Sequence, residues 1–252
     1  MTQICVLPST FRPNLVAPVT LIIADASLET IPKSIVRHKS VVRHAQRIGK
    51  KPSEMLLDRS YHHSAMVSGR LADAWKRGRP DIVHFALAEA FSTPLYLRNK
   101  LDVCLYTINN KLILTSSNLR IPKSYFRFEG LMMKLFKDGS IRSELDNKLL
   151  FELFNDVSFG YLLKNIIQSH KSIGFSSLGV ASTAQEIVSK YVNPSMESRC
   201  AIIIGGFPKG HFSENVVKYL DILYSIGELP LEAHVVVARV LYECEKLLLF
   251  EQ

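Results

Sequence analysis

The chain has 252 residues, 47% of them apolar and 21% charged, with a net charge of +8 at neutral pH. That is the make-up of an ordinary soluble globular protein with ample material for a core, arranged as one large domain or two small ones. No stretch approaches the roughly 18 to 20 uncharged apolar residues of a membrane span, and the excess of lysine and arginine points to a polyanionic partner if it is clustered.

The opening "MTQICVLPSTFRPN" lacks a basic start followed by an apolar core, so no signal peptide is expected. The next run, "PVTLIIADASLE" (18–29), is apolar and β-branched and reads as a buried strand. Residues 33–51, "KSIVRHKSVVRHAQRIGKK", then concentrate Lys33, Arg37, Lys39, Arg43, Arg47, Lys50 and Lys51 with no acid among them. Arg37, Arg43 and Arg47 lie at near-helical spacing, with Ile35, Val36, Val41, Val42 and Ile48 as the buried side. Two readings stand here: a solvated surface helix or loop, and a phosphate-contacting surface.

"DRSYHHSAM" (58–66) invites a metal or general-base reading for His62 and His63. Adjacent histidines do not share a helix face and no third ligand is evident, so no metal is expected. Pro80 in "GRPDIVHFALAEAF" suits the first turn of a helix with Ile82, Phe85 and Ala86 on one face, and Thr93-Pro94 should end it. "DVCLYTINNKLILTSS" reads as two strands around Asn109-Asn110. "YFRFEGLMMKLFKDG" has helical periodicity through Phe128, Leu131, Met132 and Leu135, closed by Gly139. Residues 145–168 also read as helical.

The last third changes texture. "SIGFSS" (172–177) is short and strand-like, "CAIII" (200–204) is a buried strand, and "YLDILYSIGELP" holds another before Pro230. "LEAHVVVARVLYECEKLLLF" closes the chain as a helix with Ala233, Val236, Val240, Cys244 and Leu247 down one side. Strands alternating with helices imply an α/β architecture with a mostly parallel sheet flanked by helices. With no repeat and no linker, residues 1–252 read as a single domain carrying a basic insertion around 33–66. Cys5, Cys104, Cys200 and Cys244 are scattered. Reduced, buried filler in a cytosolic protein is their expected role, with a disulfide framework or a metal site as alternatives.

Three turns of the last third carry glycine, proline or small residues after a strand: "GFSS", "GGFPKGHF" and "SIGELPL". A phosphate-binding loop would end in Gly-Lys-Ser/Thr, whereas Gly205, Gly206 and Gly210 are followed by His211 and Phe212. The dinucleotide pattern G-x-G-x-x-G fails as well. What remains is a backbone-lined pocket for a small molecule, or a plain tight turn. Loops after neighbouring parallel strands gather at one sheet edge, where open α/β folds bind ligands. A nucleotide hydrolase is disfavoured by the missing lysine-hydroxyl end.

Seven segments, in order, carry a resemblance: "ASLE" (26–29), "LLDRSYHHSAM" (56–66), "RPDIVH" (79–84), "RIPKSYFRFEGLM" (120–132), "SIRS" (140–143), "IIGGFPKG" (203–210) and "LPL" (229–231). Together they resemble the Nep/Emg family of ribosome-biogenesis RNA methyltransferases of the SPOUT superfamily, and "IIGGFPKG" looks like its archaeal branch. The resemblance implies a homodimer with a C-terminal trefoil knot, S-adenosylmethionine as cofactor, and N1 of a pseudouridine in a small-subunit ribosomal RNA hairpin loop as the methyl acceptor. It implies cofactor contacts at Phe175, at Gly205, at Gly210, His211 and Phe212, and at Ile226, Gly227, Glu228, Leu229, Pro230 and Leu231. It implies RNA contacts at Arg79, Arg120, Lys123 and Arg127, with Asp81 holding Arg79. Lys123 stands where arginine is also common, so charge is kept there and bidentate recognition is in doubt.

The residues themselves agree: in "RIPKSYFRF" three cations alternate with Tyr125, Phe126 and Phe128, which suits single-stranded RNA. A cationic edge on a core helix, and an ordinary N-terminal helix acid at Asp81, are the plainer readings. No general base is assigned, since Phe212 stands where some relatives carry an acid. His62 matches the family histidine better than His63 and is expected to be structural or near the substrate loop. A cytoplasmic protein is expected for the archaeal type, a nucleolar one if eukaryotic. The rival function is a non-enzymatic RNA-binding assembly factor.

Overall fold

A computed structural model describes residues 15, 17–117, 119–193 and 198–250. Cys5 lies outside them. In chain order the elements are β1 (Val19–Ala26), α1 (Lys39–Ile48), α2 (Arg59–Ser68), α3 (Pro80–Ala90), α4 (Pro94–Leu97), β2 (Leu101–Thr107) and β3 (Leu112–Thr115). Then follow α5 (Tyr125–Asp138), β4 (Ser140–Arg142), β5 (Leu149–Phe154), α6 (Phe159–Tyr161), β6 (Lys171–Ala181), α7 (Ala184–Tyr191), β7 (Cys200–Gly205), α8 (Glu214–Val217), β8 (Ile222–Ser225) and α9 (Ala233–Glu245).

The strands form one sheet in the order β4-β5-β3-β2-β1-β7-β6-β8. From β2 to β8 the neighbours run parallel, while β3, β5 and β4 extend the sheet antiparallel. The α/β expectation holds, with a mixed sheet. β1 is fully buried along its length because both its edges and both its faces are covered. Its alternating residues feed two cores: Val19, Leu21 and Ile23 on one face, Ile22 and Ala24 on the other. The Asn109-Asn110 turn joins β2 to β3 as read, with Asn110 at φ +56°.

Several expectations are corrected. Residues 145–168 are not one helix: Leu149–Phe154 is strand β5, paired with β3 and β4, and only the stretch after Ser158 coils, as α6 and a π-turn over Leu162–Ile167. A short continuous apolar run fits either state, and cross-strand pairing decided this one. Of the three residues expected on one face of α3, Ile82 and Ala86 are buried while Phe85 is 54% exposed, and Ile48, on the side of α1 expected to be buried, is also exposed. On α9 the buried stripe runs Val237, Val240, Leu241 and Cys244, which leaves Ala233 and Val236 partly open. Cys104, Cys200 and Cys244 are unpaired and buried, as expected.

The basic segment is a helix docked on its neighbour. Every lysine and arginine from Lys33 to Lys51 is exposed, whereas Val41, His44 and Ala45 of α1 are buried. The docking is polar at its centre. The Asp58 N–H donates to His62 Nδ1 at 3.0 Å, so the His62 proton sits on Nε2, which donates to His44 Nδ1 at 2.9 Å. Both rings must be neutral for this chain to exist. Burial and the neighbouring imidazole hold His62 down at about 4, and burial together with Arg47 lowers His44. With both nitrogens engaged, His62 is structural and no metal ligand; His63 is exposed.

The sign of the pH effect follows. Between about pH 6.5, where a free imidazole titrates, and about 4, where folded His62 does, His62 binds more proton in the unfolded chain, and its contribution to stability falls as pH falls. Thermal melts from pH 7.5 to 4 should show that decline, and His62→Gln should flatten it within this window.

Candidate functional site

Register sets the site. Phe175 of β6 pairs with Ile204 of β7 and with Tyr224 of β8, and β6 then runs on to Ala181 through an irregularity between Phe175 and Val180. "GFSS" therefore lies inside this strand and not in a turn after it, and the turns leaving β7 and β8 open beside that irregular stretch. Together they enclose a cavity of about 430 Å³, closed from the side by Ile82 of α3 and Val236 of α9. Of the eleven residues assigned to a cofactor above, the lining includes Phe175, Gly205, Gly210, His211, Phe212, Ile226, Gly227, Leu229, Pro230 and Leu231. Glu228 is exposed and stands off the lining. The lining also takes in Ser176, Ser177, Pro208, Lys209 and Glu232, which were not assigned. The first four lie within segments already picked out; Ile82 and Val236 arrive from distant helices with no local signal.

The cavity's shape suits a ligand read by backbone. Its size lies in the range of small-molecule sites. At Gly205 a β-carbon would stand 2.7 Å from Phe207 Cε1. At Gly210, φ is +86° and a β-carbon would collide with the Trp75 ring. Both approaches need glycine. Phe212 is buried edge-on to Phe207, with centroids 5.8 Å apart, and firms the middle turn. An adenine ring and a zwitterionic amino-acid end fit such walls, since backbone groups and serine hydroxyls serve both while Lys209 and Glu232 are of opposite charge.

The middle turn is pinned from beneath by β1. Asp25, buried at φ +48°, accepts from the Ser213 N–H at 2.5 Å and from its hydroxyl at 2.9 Å. Lys76 Nζ lies 3.7 Å from the same carboxylate, itself buried. Two residues on, the Ser27 N–H donates to the Gly206 carbonyl at 2.7 Å.

Beside this edge lie the residues assigned to RNA. Ser27 Oγ accepts from the Arg79 N–H at 2.8 Å. The Arg79 side chain forms a fork on Asp81, with Nε to Oδ1 at 2.8 Å and Nη2 to Oδ2 at 2.7 Å. Both side chains are partly exposed, so the pair contributes orientation more than stability. Helices α2, α3 and α5 bring their N-termini together here. The Arg59 N–H donates to the Gly78 carbonyl at 2.8 Å, and the Tyr125 hydroxyl donates to Asp58 Oδ2 at 3.1 Å. The converging positive helix ends favour an anion.

Arg120 and Lys123 are exposed on the stretch leading into α5, and Arg127 is exposed in its first turn. That stretch is tied to α3 by His84, whose Nε2–H donates to the Pro122 carbonyl at 2.7 Å and whose ring stacks on Phe128. Of the interleaved aromatics, Phe128 is core and Tyr125 half-buried, whereas Phe126 is 79% exposed. Among the described residues no group of His, Cys, Asp and Glu is arranged to hold a metal ion.

Comparison with known proteins supplies the family. The EMG1/NEP1 methyltransferase family model matches residues 21–245. A ribosomal RNA small subunit methyltransferase Nep1 of Staphylothermus marinus is 36% identical over 93% of this chain and 98% of its own. The protein of the same name from Thermococcus sibiricus is 38% identical over 91% of this chain and 99% of its own. The crystal structure of Archaeoglobus fulgidus Nep1 bound to S-adenosylhomocysteine superposes with a TM-score of 0.78 at 33% identity, over 91% of this chain and 98% of that one. The chain belongs to the EMG1/NEP1 methyltransferase family.

Proposed function

We propose that this chain methylates N1 of a pseudouridine in a small-subunit ribosomal RNA hairpin loop, with S-adenosylmethionine as donor. The observation that carries the reading is the adjacency just described: a backbone-lined cavity at the ends of β7 and β8 beside the irregular middle of β6, bonded through Ser27 to a cationic rim headed by Arg79. S-adenosylmethionine, when bound, would supply a methyl carbon on a sulfonium: its carbon–sulfur bond would break as the nitrogen–carbon bond forms, S-adenosylhomocysteine would leave, and the proton of the acceptor nitrogen would pass to solvent.

The residues that would hold the donor are Phe175, Ser176 and Ser177 from the irregular stretch of β6, Gly205 and Gly210 to Phe212 from the turn after β7, and Ile226, Gly227 and Leu229 to Leu231 from the turn after β8. Their work is positioning and exclusion of water, which can account for much of the acceleration of an in-line displacement. On the RNA side, Arg79 held by Asp81 presents a fixed fork, and Arg120, Lys123 and Arg127 follow the backbone. A loop nucleotide costs least to turn out of its stack, which suits a site set back behind a rim.

We read the β6-to-β8 block as the knotted core of the superfamily and the working unit as a homodimer. Support for the second comes from apolar side chains left open on adjoining elements, such as Phe85 of α3, 5.8 Å from the His234 ring of α9, and Leu229.

Two matched hairpin RNAs, one with pseudouridine at the loop position and one with uridine, test the reaction. Label from S-adenosylmethionine should appear on the first alone. No label on either, with both bound tightly, would leave an RNA-binding assembly factor instead.

A pair of variants separates the two surfaces. Gly205→Val forces a side chain into Phe207 and should weaken S-adenosylhomocysteine binding by roughly 10-fold or more while hairpin affinity stays put. Arg120→Ala should leave the S-adenosylhomocysteine affinity alone. It should weaken hairpin binding and lower its logarithmic salt slope by roughly 0.7 to 0.9.

A further inference from the structure

We propose that Trp75 is the stacking platform for the nucleobase turned out of the RNA loop, and so a substrate-positioning residue of the transfer. The inference rests on the RNA-methyltransferase reading above and adds to it the surface on which the base lands.

Trp75 is the single tryptophan of the sequence, and it sits where the cavity meets the cationic rim. The six-membered edge of its indole lies against Gly210, a cavity residue. Four residues on, Arg79 heads the rim. The residue is 43% exposed, so part of the largest apolar side chain is left open beside the cavity.

Its setting is rigid. The short 3₁₀ turn Ala74–Lys76 that carries it is fastened on three sides. Arg59 Nη2 donates to the Ala74 carbonyl at 2.9 Å, and Arg77 Nη1 to the Ala72 carbonyl at 3.1 Å. Arg77 also forks onto buried Glu29, with Nε to Oε1 at 2.6 Å, and Asn109 Nδ2 donates to that carboxylate at 2.8 Å. Asp73 and Gly78 bend the flanks at φ +50° and +73°.

The inner side of the ring is charged. Lys76, only 6% exposed, holds its ammonium 5.2 Å from the Trp75 centroid and 4.7 Å from that of Phe207, with Asp25 at 3.7 Å. A buried lysine shared between two rings and a carboxylate is costly to desolvate, and fixing the indole is what it accomplishes here. A rigid, half-open aromatic between a donor cavity and a cluster of arginines is the arrangement that single-stranded nucleic acid uses: cations follow phosphates and a ring receives the base.

The test uses the indole itself. Emission of the full-length wild-type protein is followed during titration with the pseudouridine hairpin, and with the same hairpin abasic at that loop position. Anisotropy of end-labelled RNA reports binding independently. Saturable quenching by the first RNA and none by the abasic RNA, both bound, is the expected result. Bound hairpin with unchanged emission, or equal quenching by both RNAs, would overturn the platform while leaving the methyltransferase reading intact. Absence of hairpin binding in anisotropy would sink both.

Trp75→Ala should lower kcat/KM for the hairpin by roughly 10- to 100-fold at unchanged S-adenosylhomocysteine affinity and near-native melting temperature, and Trp75→Phe should restore most of it. Equal loss of activity in both variants, or a loss tracking S-adenosylhomocysteine affinity, would mark Trp75 as part of the cavity wall alone.

Discussion

At the carboxyl end of β1 the backbone turns through Asp25 at φ +48° and delivers Ser27 to a point where two surfaces meet. The Ser27 N–H holds the Gly206 carbonyl and its hydroxyl oxygen takes the Arg79 N–H. One small residue, with its backbone N–H as donor and its hydroxyl oxygen as acceptor, thereby fixes the distance between the glycine turn and the head of α3. A non-glycine residue in the left-handed region costs on the order of 1 kcal/mol or more and persists only where its surroundings hold it. Here the Asp25 carboxylate, bonded to Ser213 and paired with Lys76, does the holding. Strain at the end of the central strand is thus spent on alignment of the site.

Division of labour follows from chemistry. The cavity is walled by backbone, small residues and buried aromatics, a surface that recognises shape and hydrogen bonds and offers little to a bare anion. The rim is its opposite, with Arg120, Lys123 and Arg127 exposed and helix N-termini behind them. Arg79 alone of the assigned arginines is held in a fork by a carboxylate, so it arrives pre-aimed whereas the others adapt.

The sequence was most legible where one rule acted alone. The apolar run of β1, the asparagine turn between β2 and β3, the periodicity of α5 and the glycine-bearing turns after β7 and β8 each have a local cause, and each lies where it is expected, whereas "GFSS" is an irregular stretch inside β6 and not a turn. It was least legible where partners decide. Leu149–Phe154 has enough leucine to coil, and pairing with β3 made it a strand. Phe85 has the spacing of a core residue, yet α3 turns that edge outward. Trp75 and Lys76 gave no signal because their meaning depends on Gly210, Phe207 and Asp25, all remote in the chain. The same holds for His44, whose partner His62 was noticed without it.

The strand order carries a consequence for the life of the chain. β1 is flanked by β2 on one side and by β7 on the other, with Val19 paired to both Leu101 and Cys200. Synthesis runs from the N-terminus at roughly 5 to 20 residues per second. The helices bearing the arginines, and the first partner of β1, are therefore made while its second edge is still an open row of backbone donors and acceptors. That edge closes only after the last third emerges, and contacts so far apart in sequence are slow to find. A nascent chain is thus cationic before it has a cavity: it acquires the means to hold a polyanion first, and the means to act on one at the very end.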